Sequence, residues 1–226
     1  GIRDTSVTGV QTCALPIYEY MNSETVNPEW LVPRGYASVR VVGRGSGKSP
    51  GQCEPWSYAE AVDFYDAIEW AAAQPWCNGK VGLTGISYYA INQWFVANLN
   101  PPSLKAIMPW EGFADIYRDA LYHGGIFSVF MSNWVTAHTM HHTLGRAARD
   151  LPNAWNVNTM HLWLSNNLDS GVLRGAQAQW DRIKVPMFTV GNWTGFALHL
   201  RGNTEAYMHA ASKHKKLRIQ IGRAHV

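Results

Sequence analysis

The chain has 226 residues, with 19 lysines and arginines against 16 aspartates and glutamates and a formal net charge of +3. A balance so close to neutral argues against a nucleic-acid-binding surface. No apolar run reaches the roughly 18 residues that a membrane span needs, so we expect no membrane partner either. The three cysteines are too few for a disulfide framework, and their spacing matches no metal site.

The two ends of the sequence differ in character from the rest. Residues 1–17 and 221–226 look like in-frame translations of sequencing adapters, and we expect both to be artefacts. The natural chain would then run from about Tyr18 to Gln220, as an internal fragment of a longer gene product.

The first natural residues, 18–33, are polar and predict a loop with one helical turn at Pro28–Leu31. The next segment, Gly35–Val42, opens on glycine and has β-branched residues at close spacing. This composition predicts a strand.

The loop that follows, residues 43–51, carries the tripeptide Gly47-Lys48-Ser49, which matches the end of a phosphate-binding loop. That motif needs a glycine at position 42, where this chain has valine, and a helix directly after the loop. Residues Pro50 to Pro55 intervene before the next helix instead, so we expect no bound nucleotide. No other cofactor is expected either.

Residues Ser57–Ala73 predict a helix, because apolar side chains recur at helical intervals and Ser57 and Glu60 have the spacing of a capping box. This helix connects two predicted strands through short loops. Such a connection is typical of a right-handed crossover in a parallel sheet.

The strand after this helix, Val81–Thr84, turns sharply and continues into a helix over residues 88–98. A serine on such a turn has a strained backbone that lifts its hydroxyl clear of the sheet. Gly85 meets the steric demand before the serine, and Ala90 is the small residue after it, although the strict pattern places a glycine at position 89. Ser87 is therefore the candidate nucleophile.

Further strands are predicted at Leu104–Pro109, Val185–Val190 and from Lys216 to Gln220. Strands and helices thus alternate along the chain, which predicts an α/β fold with a mostly parallel sheet.

Residues 111–184 show no strand-like alternation, but helical stretches are predicted at Asp115–Tyr122 and Gly171–Ile183. We expect this segment to be a helical cap inserted over the strand ends, where open α/β sheets place their sites. The core domain would then consist of residues 18–110 and 185–220.

His138 and His142 lie one helical turn apart, as in a zinc-binding helix. Position 139 is a threonine where the motif needs a glutamate, and no third ligand is apparent. We expect no metal site here.

Several motifs in this order resemble the cocaine esterase and X-Pro dipeptidyl-peptidase group of α/β-hydrolases. The similarity is strongest from Gly35 to Arg118 and thin beyond it. The matching pieces are Gly35–Val41, Arg44–Gly51, Asp66–Trp70, Gln74–Gly82, Gly85–Ala90, Lys105–Pro109 and Asp115–Arg118. The resemblance implies a truncated α/β-hydrolase fold with an inserted helical cap.

The same resemblance implies a serine hydrolase with Ser87 as its nucleophile and the backbone N–H of Tyr88 as one oxyanion donor. In the family a tyrosine hydroxyl from an earlier strand supplies the second donor, and that strand lies before Tyr18.

The catalytic acid departs from the family pattern. The family places it in a Gly-Trp-Tyr-Asp-x-Phe run after the strand at Val185–Val190, where this chain has Thr194, which cannot ionise. A carboxylate at the end of the preceding strand can serve instead, because a triad is defined by geometry and role. Glu111 is the candidate acid and Asp115 the second candidate, although a solvated loop residue or an ion pair with Arg118 explains Glu111 as well.

The resemblance places the general base after the last strand, beyond Gln220. His225 has a spacing close to the family's Gly-x-x-His, but it falls in the expected artefact and we treat the match as coincidence. His199 and His209 could approach the end of the sheet, yet their spacing gives no warrant for a base.

Two functions stay open. One is a serine hydrolase acting on a small-molecule ester or amide through an acyl-enzyme on Ser87, with this chain an incomplete and by itself inactive fragment. The other is a non-catalytic binding module that keeps a tryptophan-rich pocket after losing the acid; the 11 tryptophans suit such a pocket. The oligomeric state is left open.

Overall fold

The computed structural model describes residues 11–12, 24–46, 49–140, 154–156, 159–174 and 177–221. Predictions about residues outside these ranges stay predictions. They concern most of residues 1–17, residues 222–226 with His225, the Gly47-Lys48 pair, His142 and the side chain of His138.

The helices and strands alternate along the chain, as the sequence predicts. The α-helices are α1 (Pro28–Leu31), α2 (Tyr58–Ala72), α3 (Tyr88–Ala97), α4 (Val129–Trp134), α5 (Thr159–Ser165), α6 (Gly171–Arg174) and α7 (Leu200–His209). The strands are β1 (Gln11–Thr12), β2 (Val39–Arg40), β3 (Gly51–Cys53), β4 (Val81–Ile86), β5 (Leu104–Trp110), β6 (Tyr122–His123), β7 (Ile126–Phe127), β8 (Ala154–Asn156), β9 (Met187–Asn192) and β10 (Lys215–Gln220).

A four-stranded parallel sheet forms the centre of the molecule, in the order β10-β9-β5-β4. Its register pairs Ile86 with Trp110 and Trp110 with Val190. The carboxyl ends of β4, β5 and β9 therefore meet at one edge of the sheet. The predicted α/β class, the parallel sheet and all four of its strands are confirmed, with bounds shifted by one or two residues.

Helix α3 holds the centre of the core against β4 and β5. Seven of its ten residues are buried, including Trp94 and Val96, which have no exposed surface. A helix that is apolar on most of its faces must lie inside the protein, because burial of each large apolar side chain contributes about 1.5–3 kcal/mol.

Helix α2 begins as its sequence predicts, with Ser57 as the N-cap residue. The Ser57 hydroxyl accepts a hydrogen bond from the Glu60 N–H at 3.1 Å. The Glu60 carboxylate accepts from the Trp56 N–H at 2.7 Å, one residue before the position that a capping box predicts.

The predicted strand Gly35–Val42 is much shorter in the structure. Only Val39–Arg40 forms a ladder, antiparallel to Gln11–Thr12, and it does not join the central sheet. A β-branched composition favours an extended backbone, but a strand also needs a neighbour to accept and donate its backbone hydrogen bonds.

The segment 111–184 differs from prediction in its strands. A short hairpin joins β6 to β7, and β8 pairs in parallel with β3; the sequence pattern predicts none of these short strands. The first predicted helical stretch is a π-helix at Ile116–Leu121, and the second divides into α6 and a 3₁₀ turn at Trp180–Arg182. The division of the chain into core and cap stays a prediction.

Candidate active site

Ser87 lies on the sharp turn between β4 and α3, with φ 56° and ψ −114°. This conformation is rare for a residue with a side chain. A Cβ at Gly85 would overlap the side chain of Tyr89, so the turn requires a glycine at that position. The turn has the strained geometry that the sequence predicts for a nucleophile elbow.

His199 is the imidazole that the structure brings to Ser87. Its Nε2 lies 3.3 Å from the Ser87 Oγ, and its side chain is 8% exposed. The backbone N–H of His199 donates to the Gly195 carbonyl at 2.9 Å, which fixes the residue at the start of α7. The sequence spacing of His199 indicated that it could approach the end of the sheet but did not identify it as a base.

Glu111 lies on the other side of the His199 ring. Its Oε2 is 3.8 Å from His199 Nδ1, within ion-pair range but beyond a hydrogen bond, and its side chain is 18% exposed. Glu111 has φ 49°, and its N–H donates to the Val190 carbonyl at 2.8 Å. The end of β5 thus turns the carboxylate toward the imidazole.

The second acid candidate, Asp115, makes different contacts. Its carboxylate accepts from the Arg118 N–H at 3.0 Å and pairs with the Arg118 guanidinium at 2.7 Å. Arg118 also reaches Asp169 at 2.8 Å, and these two carboxylates raise the pKa of Arg118. The ion pair that the sequence analysis considered for Glu111 with Arg118 is thus made by Asp115.

Tyr88 is the first residue of α3, where a backbone N–H has no partner within the helix. The Ser87 N–H donates to the Trp110 carbonyl at 3.1 Å. Of these two amides at the elbow, only that of Tyr88 therefore suits the oxyanion role that the sequence predicts.

The hydroxyl group of Tyr88 is held by a buried carboxylate. This hydroxyl donates to Glu60 at 2.6 Å, and Asn92 donates to the same carboxylate at 3.3 Å. Burial raises the pKa of Glu60 above its ordinary value, and burial beside Glu60 raises the pKa of Tyr88 well above its own. This buried hydrogen-bonded group anchors the residue whose N–H faces the site.

Aromatic rings line the wall next to Tyr88. Trp134 stacks on Trp56 with a centroid distance of 4.8 Å, and Tyr88 stacks on Trp134 at 6.0 Å. A cavity of about 2830 Å³ extends from Ser87 and His199 past Tyr88 and Trp134 toward β2, while Trp56 is buried behind these two rings. The site is therefore open to a ligand and bordered by apolar surface.

In the described part of the chain, no cluster of three or more histidine, cysteine or acidic side chains is arranged to hold a metal ion. The helices described are all too short or too polar to cross a membrane.

Residues 18–225 match the sequence model of the X-Pro dipeptidyl-peptidase (S15) family. The chain belongs to this family. The resemblance predicted from the motifs is thereby confirmed.

Two curated relatives illustrate the range of the S15 family. The cocaine esterase of Rhodococcus sp. is 41% identical over 108 residues, which are 46% of this chain and 19% of that protein. The Xaa-Pro dipeptidyl-peptidase of Streptococcus gordonii is 27% identical over 114 residues, which are 44% of this chain and 15% of that protein. The chain thus spans less than a fifth of the length of these relatives.

Solved structures agree with the assignment to the S15 family. A CocE/NonD family hydrolase from Staphylococcus aureus superposes with a TM-score of 0.81 at 38% identity, over 92% of this chain and 36% of that one. An acetyl xylan esterase from Paenibacillus sp. superposes with a TM-score of 0.55 at 15% identity, over 88% of this chain and 64% of that one, and supports the fold alone. The chain has the α/β-hydrolase fold, as predicted.

The sequence predicts Ser87, Tyr88 and Glu111 as site residues, and it indicates His199 only as a residue that could approach the end of the sheet. The position of His199 in the sequence could have identified it as a candidate base, because it closely follows the Gly191–Phe196 run that replaces the family's acid motif. Its separation of 112 residues from Ser87 gave no reason to pair the two.

Proposed function

We propose that this chain is part of a longer serine hydrolase that cleaves ester or amide bonds of small molecules through an acyl-enzyme on Ser87. The observation that carries the proposal is the contact series in which Ser87 Oγ faces His199 Nε2 at 3.3 Å and His199 Nδ1 faces Glu111 at 3.8 Å. Nucleophile, base and acid in this order are the recurring constellation of acyl transfer, whatever the order of the residues along the chain.

In the proposed reaction the Ser87 Oγ attacks the carbonyl carbon of the substrate while its proton passes to His199 Nε2. The negative charge that forms on the carbonyl oxygen is stabilised by the Tyr88 N–H at the start of α3. Glu111 stabilises the imidazolium and holds the ring in the tautomer that leaves Nε2 free to accept.

The leaving group then takes the proton from His199 Nε2, and the acyl group stays on Ser87. A water molecule, deprotonated by the same nitrogen, attacks this ester and regenerates the serine. Catalytic hydrogen bonds often shorten when the substrate binds, so we expect the 3.8 Å separation of Glu111 and His199 to close in the substrate complex.

Ester and amide substrates are both retained in the proposal. The named relatives include an esterase and a dipeptidyl-peptidase. The rings of Tyr88 and Trp134, which line the cavity at Ser87, support a substrate with an apolar group next to the cleaved bond.

Labelling with a fluorophosphonate tests the nucleophile. In the full-length protein that contains this chain, we expect one adduct on Ser87, mapped by peptide mass spectrometry. Ser87→Ala should abolish both the adduct and the hydrolysis of p-nitrophenyl acetate, and His199→Asn should greatly slow both.

Ser165→Ala is the matched control, because this exposed serine only donates within its own helix. It should label as the wild-type protein does. Labelling that survives Ser87→Ala would refute the proposal, and binding of an aromatic ester without any turnover would favour the non-catalytic alternative.

A further inference from the structure

Asn192 ends β9 and Thr194 lies in the turn that follows, at the place where the family resemblance puts the catalytic acid. The Asn192 Oδ1 accepts two hydrogen bonds, from the Thr194 N–H at 2.9 Å and from the Thr194 hydroxyl at 2.8 Å. An oxygen is the only amide atom that accepts two donors, so these bonds fix which way the amide faces.

With its oxygen turned to Thr194, the Asn192 amide directs its NH₂ group at Glu111. Asn192 Nδ2 lies 3.2 Å from Glu111 Oε1, while the other carboxylate oxygen, Oε2, faces His199. Asn192 is 2% exposed, so this hydrogen bond lies out of bulk water. A hydrogen bond to a charged group in such surroundings is stronger than one at the surface.

The same turn also positions the base. Gly195 follows Thr194, and its carbonyl accepts the His199 N–H at 2.9 Å. An added Cβ at position 195 would lie 3.9 Å from both Glu111 Oε2 and the His199 Cβ. A single short turn therefore contacts the acid on one side and carries the base on the other.

Resting on the function proposed above, we infer that Asn192 and Thr194 are positioning residues for Glu111. Thr194 orients the Asn192 amide, Asn192 holds one oxygen of Glu111, and the other oxygen is thereby aimed at His199. Position 194 thus supports the acid of a neighbouring strand end and does not supply it. Neither residue touches the substrate or the reacting atoms.

Three variants of the full-length protein separate positioning from a structural role. Thr194→Val removes the hydroxyl at an exposed position and should lower kcat about 10- to 100-fold with KM unchanged, since small misplacements of catalytic groups cost that much. Thr194→Ser keeps the hydroxyl and should stay within about twofold of the wild-type kcat. Thr136→Val, which removes an exposed hydroxyl that bonds only to the Ser132 carbonyl, is the matched control and should match the wild type.

Asn192→Asp is the sharper test. Aspartate keeps the acceptor that caps the turn, but it removes the NH₂ donor and places a second carboxylate against Glu111. The second buried carboxylate should lower the melting temperature in either case. A purely structural role predicts a near-normal kcat for the folded variant. The positioning role predicts a loss of kcat at least as large as that of Thr194→Val, with the fold retained.

A double-mutant cycle decides between the two roles. In a Glu111→Gln background, Thr194→Val should have almost no further effect on the residual kcat, because its effect is transmitted through the Glu111 carboxylate. The inference would be overturned if Thr194→Val lowered kcat by the same factor in both backgrounds. A near-normal kcat for both Thr194→Val and Asn192→Asp would also overturn it. If Ser87→Ala also stays fully active, the proposed function itself has failed; if Ser87→Ala is inactive, only the positioning role has.

Discussion

Ser87 and Glu111 are two of four residues other than glycine with a positive φ angle in the described part of the chain. They directly follow two adjacent parallel strands, β4 and β5, and each such conformation costs on the order of 1–3 kcal/mol. The cost is tolerated where the surrounding structure holds the residue in place, here through the Ser87 N–H to Trp110 and the Glu111 N–H to Val190. Both turns point a side chain out of the sheet toward the same imidazole.

The first prediction at the residue scale concerns the acid. In the full-length protein, Glu111→Gln should lower kcat by about 10⁴-fold, the loss found when a triad acid becomes an amide. KM should change little, because the interaction with the imidazolium exists mainly in the transition state. Steady-state hydrolysis of p-nitrophenyl acetate measures both constants.

Asp115→Asn is the comparison for this prediction. Asp115 caps the π-helix and pairs with Arg118, so its loss should affect stability more than catalysis. Near-normal turnover by Glu111→Gln together with an inactive Asp115→Asn would make Asp115 the acid. Activity in both variants would mean that neither carboxylate serves.

At the scale of elements, α7 determines the distance between base and acid. Asn203 donates to Thr189 Oγ1 at 2.8 Å and accepts from the Gly112 N–H at 3.3 Å, which fastens the helix to the loop after β5. Arg201 pairs with buried Asp119 at 2.9 Å. Burial raises the pKa of Asp119, and this arginine acts against that shift. His199 directly precedes α7, and Glu111 begins the loop after β5. The contacts between this helix and this loop therefore fix the positions of both His199 and Glu111.

Gly202 allows the close approach of α7 to this loop. A Cβ at position 202 would overlap the Gly112 carbonyl oxygen and would lie 2.7 Å from the Ala114 nitrogen. Gly202→Ala should therefore destabilise the protein by about 1–3 kcal/mol, as overpacked sites do. It should also lower kcat, since α7 must move and take His199 with it. Thermal unfolding and steady-state kinetics on the same sample measure the two effects.

Gly171→Ala is the control for helix propensity. Gly171 is also helical, and an added Cβ there meets no atom within 4 Å. This variant should be as stable as the wild type or slightly more so. A Gly202→Ala protein with wild-type melting temperature and kcat would show that the contact between α7 and the loop tolerates displacement.

On the scale of the whole molecule, the central sheet has two unpaired edges within the described residues. Strand β4 is one edge and β10 is the other, and the large cavity separates β4 from β2. Unpaired strand edges promote association with other chains. Ser87 directly follows β4, so the geometry around Ser87 depends on what covers that strand.

This arrangement predicts that the 226-residue chain on its own is a poor catalyst. We expect its kcat for p-nitrophenyl acetate to be at least about 10²-fold below that of the full-length protein, the cost of losing one oxyanion donor. Size-exclusion chromatography beside the assay should show self-association of the isolated chain. A monomeric chain with a kcat comparable to that of the full-length protein would contradict this prediction.

Much of the fold could be predicted from the sequence, because the signals involved are local. The capping serine of α2, the apolar α3 and the strand-turn-helix at Ser87 each depend on residues a few positions apart. Strands that depend on distant partners were predicted less well. The segment Gly35–Val42 pairs at only two residues, and β8 was missed because its partner β3 lies about a hundred positions earlier.

The sequence by itself determined the nucleophile candidate, the fold class and the family resemblance, since each is written in a contiguous motif or in the order of such motifs. Only the tertiary structure brought His199 to Ser87 and Asn192 to Glu111, across 112 and 81 residues. The physical reason is that β9 lies beside β5 in the sheet, while the turn after β9 folds back over the strand ends. Local periodicity identifies the strands but does not encode their order in the sheet, and that order decides which side chains meet.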